Sequence, residues 1–303
     1  MASSFVKLSD SEYEYNDRDE VDFPSATPEM RTDFDCRGYV VLRNILGSTE
    51  VGQLLEALKK AGDGSAHQDA LFRIEDSGGR AYKQWQWFDA GDDILGAAGR
   101  TAKLAGVAQQ MLGRGDLFLY HGKIIDKAPR VGGSLLWHQD YGYWYNNDAI
   151  FPDFVTCLIA LTRSDETNGG LELISGSHNC GRIDHKKQSG QMSADLERVD
   201  LILKKLPLVR ASLKAGDAVV FHGNVLHRSG PNDTDEARTH LIYSYNTRGN
   251  TVAGAEDQPH FVAKYTPLDI LPAGAVKACK ELKLQQRRYL NPDTNPNIQA
   301  QKS

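Results

Sequence analysis

The stretch "AGDAVVFHGNVLHRSGPNDTDEARTHLIY", residues 215–243, reads as two strands around a turn. β-Branched and aromatic residues fill "DAVVFHGNVLHR" and "THLIY", and Pro231, Asn232 and Asp233 supply turn chemistry between them. A turn centred between Asn232 and Asp233 makes His227 and Arg238 cross-strand neighbours on one face, with Cβ atoms about 5 Å apart. The expected result is a hairpin that fixes a cation beside a histidine.

The same texture extends upstream. "DLFLYHGKIID" (116–126), "FVTCLIALT" (154–162), "GLELIS" (170–175) and "PLVRASL" (207–213) are strand-like runs bounded by Gly, Asn, Asp or Pro. Few helix-length patterns separate them, so a largely antiparallel sheet is expected. Earlier in the chain, "GYVVLRN" reads as a strand. Ser48 and Thr49 are placed to cap a helix through "EVGQLLEALKKAG", and a second helix is expected through "DILGAAGRTAKLAGVAQQML" (93–112). Helices first and strands afterwards predict a mainly β fold, a sandwich or barrel backed by flanking helices. Residues 1–30 are acidic and read as a flexible arm. Residues 31–303 then form a single domain with a β core at about 115–248, and the charge-rich stretch at about 182–206 reads as a partly helical, lid-like insertion.

A chain of 303 residues, 40% hydrophobic and 25% charged, can bury a large core. A net charge of -5 and a pI near 6.0 supply no field for nucleic acid or an anionic membrane, so the expected partner is a small molecule. Cys36, Cys157, Cys180 and Cys279 form no CxxC pair and are expected to be reduced thiols. No apolar leader or 18-residue apolar run is visible, which makes the cytoplasm the expected location and membrane insertion unexpected.

"SLLWHQDYGYWY" (134–145) carries the chemistry. His138 and Asp140, two positions apart, share one side if the segment is a strand. With His227 they make two histidines and a carboxylate, the facial triad of non-haem Fe(II) oxygenases, which leaves metal positions open. A neighbouring Arg238 suits a co-substrate that chelates iron at one end and ends in a carboxylate, the shape of 2-oxoglutarate. Each residue also has a plain reading: His227 as a core histidine, Arg238 as a surface partner of Asp235 or Glu236, Asp140 as a cap or turn residue. Their joint spacing favours the metal site.

At these residues the chain resembles the phytanoyl-CoA dioxygenase family of Fe(II)- and 2-oxoglutarate-dependent oxygenases. The resemblance runs from "DFDCRGYVVLRNIL" to "THLIYSYN" and rests on "HQD", "NGGLELISGSH" (168–178), "AGDAVVFHGNVLHRSG" and an arginine eleven positions after the distal histidine. It implies a double-stranded β-helix (jelly-roll, cupin-like) core, and His138, Asp140 and His227 as ligands of Fe(II). It further implies that Arg238 grips the distal carboxylate of 2-oxoglutarate with help from Ser229, that Gln139 lines the co-substrate, and that Lys83 in "RAYKQWQWF" matches a lysine reaching it. Lys123 and Ile159 depart from the family pattern and bear on the shape of the co-substrate pocket.

The implied reaction consumes O2 and 2-oxoglutarate, releases succinate and CO2, and hydroxylates an unactivated C–H bond of a small-molecule, lipid or amino-acid-derived substrate, with ascorbate as the reductant. The carboxylate at Asp140 favours hydroxylation over halogenation, because related halogenases have a small residue there. Trp85, Tyr141, Tyr143 and Trp144 are candidate substrate walls, with sheet packing as their plain reading. His121 and His222 read as core or supporting groups. The competing functions are a cupin-like metal enzyme of another reaction type, which has no need of Arg238, and a non-catalytic metal-binding or scaffold protein.

Overall fold

Period-two alternation builds two sheets that face each other. In the computed structural model, which describes residues 4–16, 21–62, 71–147, 149–188, 190–250 and 266–279, the strands are β1 (Phe5–Ser9), β2 (Glu12–Tyr15), β3 (Tyr39–Arg43), β4 (Leu71–Glu75), β5 (Ala81–Trp87), β6 (Leu117–Lys127), β7 (Leu135–His138), β8 (Phe154–Ala160), β9 (Leu171–Ile174), β10 (His185–Gln188), β11 (Gln191–Ala194), β12 (Leu208–Arg210), β13 (Ala218–His222), β14 (His227–Ser229) and β15 (Arg238–Thr247). The larger sheet has the order β1-β2-β3-β13-β8-β15-β6-β5-β4, and the smaller β12-β9-β14-β7. Apart from the parallel β2–β3 pair, neighbouring strands are antiparallel, as expected. The core is a jelly roll.

Inward from the larger sheet point Tyr39, Val41, Leu158, Ala160, Val219, Phe221 and Ile242, which meet Leu171 and Leu173 of the smaller one. Their sequence neighbours, including Val40, Leu42, Val155, Ile159, Val220 and Leu241, point the other way. They pack under helices α1 (Pro28–Arg37), α2 (Ser48–Gly62), α3 (Ile94–Arg100) and α4 (Val107–Leu112). Ile159 therefore lies on the helix side and does not shape the pocket; strand parity decides the point. A short helix α5 (Asp140–Trp144) follows β7, α6 (Leu196–Leu203) follows β11, and α7 (Ala275–Ala278) packs beside α2 and α3. No helix of the described residues is long and apolar enough to cross a membrane.

Four expectations are corrected. The acidic segment expected to be a loose arm includes β1 and β2, which extend the larger sheet; Tyr13 and Tyr15, alternating along β2, and Phe5, paired with Tyr15 across β1, are buried and outweigh the surrounding charge. The helix expected over 93–112 is broken at Thr101, whose extended backbone pairs with Leu271 while its hydroxyl donates to the Ala273 carbonyl, so tertiary bonds override local propensity. The run "DAVVFHGNVLHR" is two strands in different sheets. Finally, β14 and β15 do not form a hairpin: His227 pairs with His138 and Leu173, and Arg238 pairs with Lys127. The connection crosses from one sheet to the other, held by the buried Asn232, whose amide donates to the carbonyls of Lys127, Ala128 and Glu236.

Within 182–206 the described residues include the antiparallel β10–β11 pair and α6. Val199 and Ile202 of α6 pack with Trp137, Ile174 and Leu226 on the outer side of the smaller sheet. The hairpin lies beside β7, close to the segment that carries His138 and Asp140.

Candidate metal centre

His138 and His227 are opposite each other across β7 and β14, with ring centroids 4.0 Å apart. Each Nδ1 bonds the carbonyl two residues earlier, His138 to Leu136 at 2.8 Å and His227 to Val225 at 3.0 Å. A carbonyl only accepts, so each Nδ1 carries the proton and each Nε2 presents a lone pair. Asp140 is not on a strand. It is the first residue of α5, and the turn through extended Gln139 brings its carboxylate to the histidines. One ligand atom from each of the three lies within 4.8 Å of the others, and all three residues are buried.

The protonation states suit a cation. Burial, and then the facing His227, push the His138 imidazolium well below its usual range; burial also lowers that of His227. Burial alone raises the Asp140 carboxyl, but His227, Lys123 and a 2.6 Å hydrogen bond from Thr156 Oγ1 outweigh it and hold it below the ordinary value. Two neutral imidazoles and a carboxylate at this spacing fit a three-ligand Fe(II) site with open positions. Thr156, which also meets Ser244 Oγ at 3.0 Å, escaped the sequence reading because a threonine in a strand gives no signal of what it faces.

Arg238 begins β15 and is 1% exposed. Its Nη1 bonds the His240 ring, whose Nε2 meets Ser164 Oγ at 2.8 Å. Its Nε and Nη2 are buried with no hydrogen-bond partner among the described residues. Burial lowers its pKa to about 10, so it remains a cation at neutral pH. A buried guanidinium with two unspent donors is costly unless an anion completes it, which is the fit a co-substrate carboxylate requires. The plain reading, a surface partner of Asp235 or Glu236, fails: Asp235 pairs with Arg130 and Glu236 with Arg163.

The other expected site residues divide. Ser229 is buried and accepts at 2.8 Å from Nζ of Lys127, which stands in register with Arg238. Lys123 faces inward toward Asp140, two residues before inward Ile125, and no described residue hydrogen-bonds its ammonium. The Gln139 amide bonds the carbonyls of Gly181 and Asn224 and Ile183 N–H, bracing the ligand turn. Lys83 is corrected. Tyr82 packs in the inner cluster and Trp87 in the helix-side one, so Lys83 is exposed on the outer face opposite Asp126. Trp85 shares that outer face and packs under the helices. The inward residues there are Tyr82, Gln84 and Gln86.

Tyr141 and Trp144 pack with Tyr120 and Phe154, and the Tyr141 hydroxyl donates to the Ile150 carbonyl, so both follow their packing reading. Tyr143 is different: its ring centroid lies 5.5 Å from that of His138, and its hydroxyl donates to the Met192 carbonyl at 2.6 Å. The hairpin is latched to the ligand turn a second time by His185, whose Nε2 accepts from Gln139 N–H at 3.0 Å. Gly142 makes room, because a Cβ there stands 2.0 Å from the His185 ring. His121 is buried beside Trp144, its Nδ1 without a hydrogen-bond partner among the described residues, whereas His222 faces α1 and is remote from the ligands' side of its strand.

Comparison with known proteins agrees with this geometry. The family model described as phytanoyl-CoA dioxygenase (PhyH) matches residues 34–240. L-Proline trans-4-hydroxylase of Streptomyces griseoviridis is 28% identical over 243 residues, 75% of this chain and 89% of that protein. Ectoine dioxygenase of Stutzerimonas stutzeri is 26% identical over 264 residues, 80% and 87% of the two chains. The crystal structure of EctD from S. alaskensis with 2-oxoglutarate and 5-hydroxyectoine superimposes with a TM-score of 0.65 at 21% identity, covering 81% of this chain and 86% of that one.

Proposed function

The chain belongs to the phytanoyl-CoA dioxygenase family and is an Fe(II)- and 2-oxoglutarate-dependent dioxygenase, and we propose that it hydroxylates a C–H bond of a small substrate carrying an anionic group. The observation that carries this reading is the conjunction of the His138, Asp140 and His227 cluster with a buried Arg238 that has two donors to give. Iron with 2-oxoglutarate and O2 supplies C–H oxidation, with succinate and CO2 as co-products.

The protein's own residues hold and orient. His138 and His227 present fixed Nε2 lone pairs, and Asp140 is fixed by Thr156. Arg238 and Ser229 take the distal carboxylate of 2-oxoglutarate. Lys123, inward and without a hydrogen-bond partner among the described residues, offers its ammonium to an anion carried by the substrate. The relatives' named substrates, proline and ectoine, are both small carboxylates, which favours this class. Tyr143 supplies an apolar wall beside His138, and the 185–194 hairpin latched over it restricts water. Ascorbate is the expected reductant, keeping the iron ferrous. A metal enzyme of another reaction type has no use for the spare donors of Arg238.

The test is conversion of 2-oxoglutarate to succinate by purified protein with Fe(II), ascorbate and O2, screened across small amino-acid derivatives and other carboxylates. Stimulation by one of these above an Asp140→Ala control is expected. Turnover equal to that control across the whole panel overturns the proposal.

A further inference from the structure

The metal centre keeps oxidisable C–H bonds of the protein's own beside it. On α5, Tyr143 stands three residues after Asp140, the spacing that sets two side chains on one face of a helix, and the carboxylate on that face is a metal ligand. The phenol ring therefore meets the ligands: its centroid lies 5.5 Å from that of His138 and 5.3 Å from that of His185. Both ends of the side chain are held. The hydroxyl donates to the Met192 carbonyl on β11 at 2.6 Å, and the backbone follows directly from the ligand turn, which His185 braces through Gln139 N–H.

Other rings around the ligands are placed differently. Tyr141 and Trp144 pack into the cluster of Tyr120 and Phe154, and Tyr82 lies beside the Lys127 ammonium, toward Arg238. Phe221 comes closer to a ligand, with 4.7 Å between its centroid and that of His227, but it belongs to the inner apolar core. It also has no hydroxyl. A phenol oxygen feeds electron density into the two ring carbons beside it, so the Tyr143 Cε atoms are the easier ones to oxidise.

We propose that Tyr143 is a self-modification site: given Fe(II), 2-oxoglutarate and O2 but no substrate, the protein hydroxylates its own Tyr143 ring beside the existing hydroxyl and makes a catechol there. No further reactant is needed. O2 accepts four electrons, two from the oxidative decarboxylation of 2-oxoglutarate and two from the ring C–H bond. One oxygen atom leaves in succinate as CO2 is released; the other enters between a Tyr143 Cε and its hydrogen, which ends on the new hydroxyl. The inference rests on the dioxygenase reading and gives its oxidising power a second destination. A substrate seated against Tyr143 takes the oxygen itself and shields the ring.

Peptide mass spectrometry of the full-length wild-type protein, incubated with Fe(II), 2-oxoglutarate and O2 and no substrate, tests it. The peptide carrying Tyr143 is expected to gain one oxygen atom, placed on Tyr143 by fragmentation, and to be retained on a boronate resin, which captures the paired hydroxyls of a catechol. The gain should vanish when 2-oxoglutarate is left out, and in Asp140→Ala. Tyr143→Phe should lose the boronate retention, because one oxygen added to phenylalanine makes only a phenol. Oxygen found instead on the Met192 thioether, the ordinary product of stray oxidation, or on Phe221 overturns the assignment to Tyr143. So does a gain that needs no 2-oxoglutarate, or retention that survives in Tyr143→Phe. An unmodified Tyr143 overturns the inference by itself; where succinate is formed all the same, alone or on adding a carboxylate of the panel, the dioxygenase reading survives it.

Discussion

Along β15, the side chains that face the helices and those that face the smaller sheet obey different chemistry. Leu241, Tyr243 and Tyr245 pack outward, and the two tyrosine hydroxyls donate to the carbonyls of Leu95 and Gly99. Arg238, His240, Ile242 and Ser244 point inward, and three of these four are polar. The strand neighbours repeat the division. On β6, Lys123 and Lys127 alternate with outward Leu119 and Ile124; on β8, Thr156 alternates with Val155 and Cys157. One face stabilises the fold by burying apolar surface. The other carries buried charge that costs stability and is useful only with ligands present.

This division can be broken from the outer side. Leu241 is fully buried under the helices, and Leu241→Ala should lower unfolding free energy by about 2–5 kcal/mol, the range for an aliphatic cavity. Chemical denaturation reads the loss, and KM for 2-oxoglutarate should be untouched where the protein is folded. A loss in co-substrate binding matching the loss in stability would show that the two faces are not separate.

The sequence shows the alternation but not its sign. Two-residue periodicity states that Lys83, Trp85 and Trp87 share a face; which face is inside depends on the partner strand, and β5 turns those three away from the site. Ile159 was misplaced for the same reason. The hairpin reading of 215–243 failed because turn residues look alike whether a chain reverses within a sheet or crosses to another, and only the bonds of Asn232 to β6 and its following loop distinguish the two. His138, Asp140, His227 and Arg238 were legible because chemistry restricts which residue types can serve together, whatever element carries them. Thr156 and Lys127 were not: a hydroxyl or a lysine in a strand has many ordinary uses, and its meaning lies in a contact across sheets.

The inner face can be tested without emptying the site. Thr156→Val keeps the side chain's outline and removes only the hydroxyl that holds one Asp140 oxygen. Metal affinity should fall about 10–100-fold, as for other groups that orient a metal ligand, while the ligand-free protein melts near the wild-type temperature. Thr156→Ser should restore most of the affinity, measured by Mn(II) titration. Equal affinity in wild type and Thr156→Val would leave Asp140 oriented by its backbone turn alone.

The smallest effect concerns His222, a polar exception on the helix side. It accepts from Asn224 N–H at 3.1 Å through Nδ1 and sits 6.3 Å from the Phe34 ring centroid and 5.6 Å from that of His178. Burial, with the charges of His178 and Arg114 adding to it, lowers its pKa from 6.5 to about 4. The folded form therefore binds the proton less readily than the unfolded one. Its contribution to stability is complete above pH 6.5 and is lost as pH falls toward about 4. Inward histidines with lowered pKa values act in the same direction, so wild-type stability should fall throughout this window. His222→Asn is uncharged at every pH and should make the fall shallower by up to about 1.4 kcal/mol per pH unit, the weight of one proton. Denaturation midpoints of the two proteins from pH 7 to pH 4 should converge as the pH drops; parallel curves would show that the outer face accepts a charged His222 and is less apolar than its packing implies.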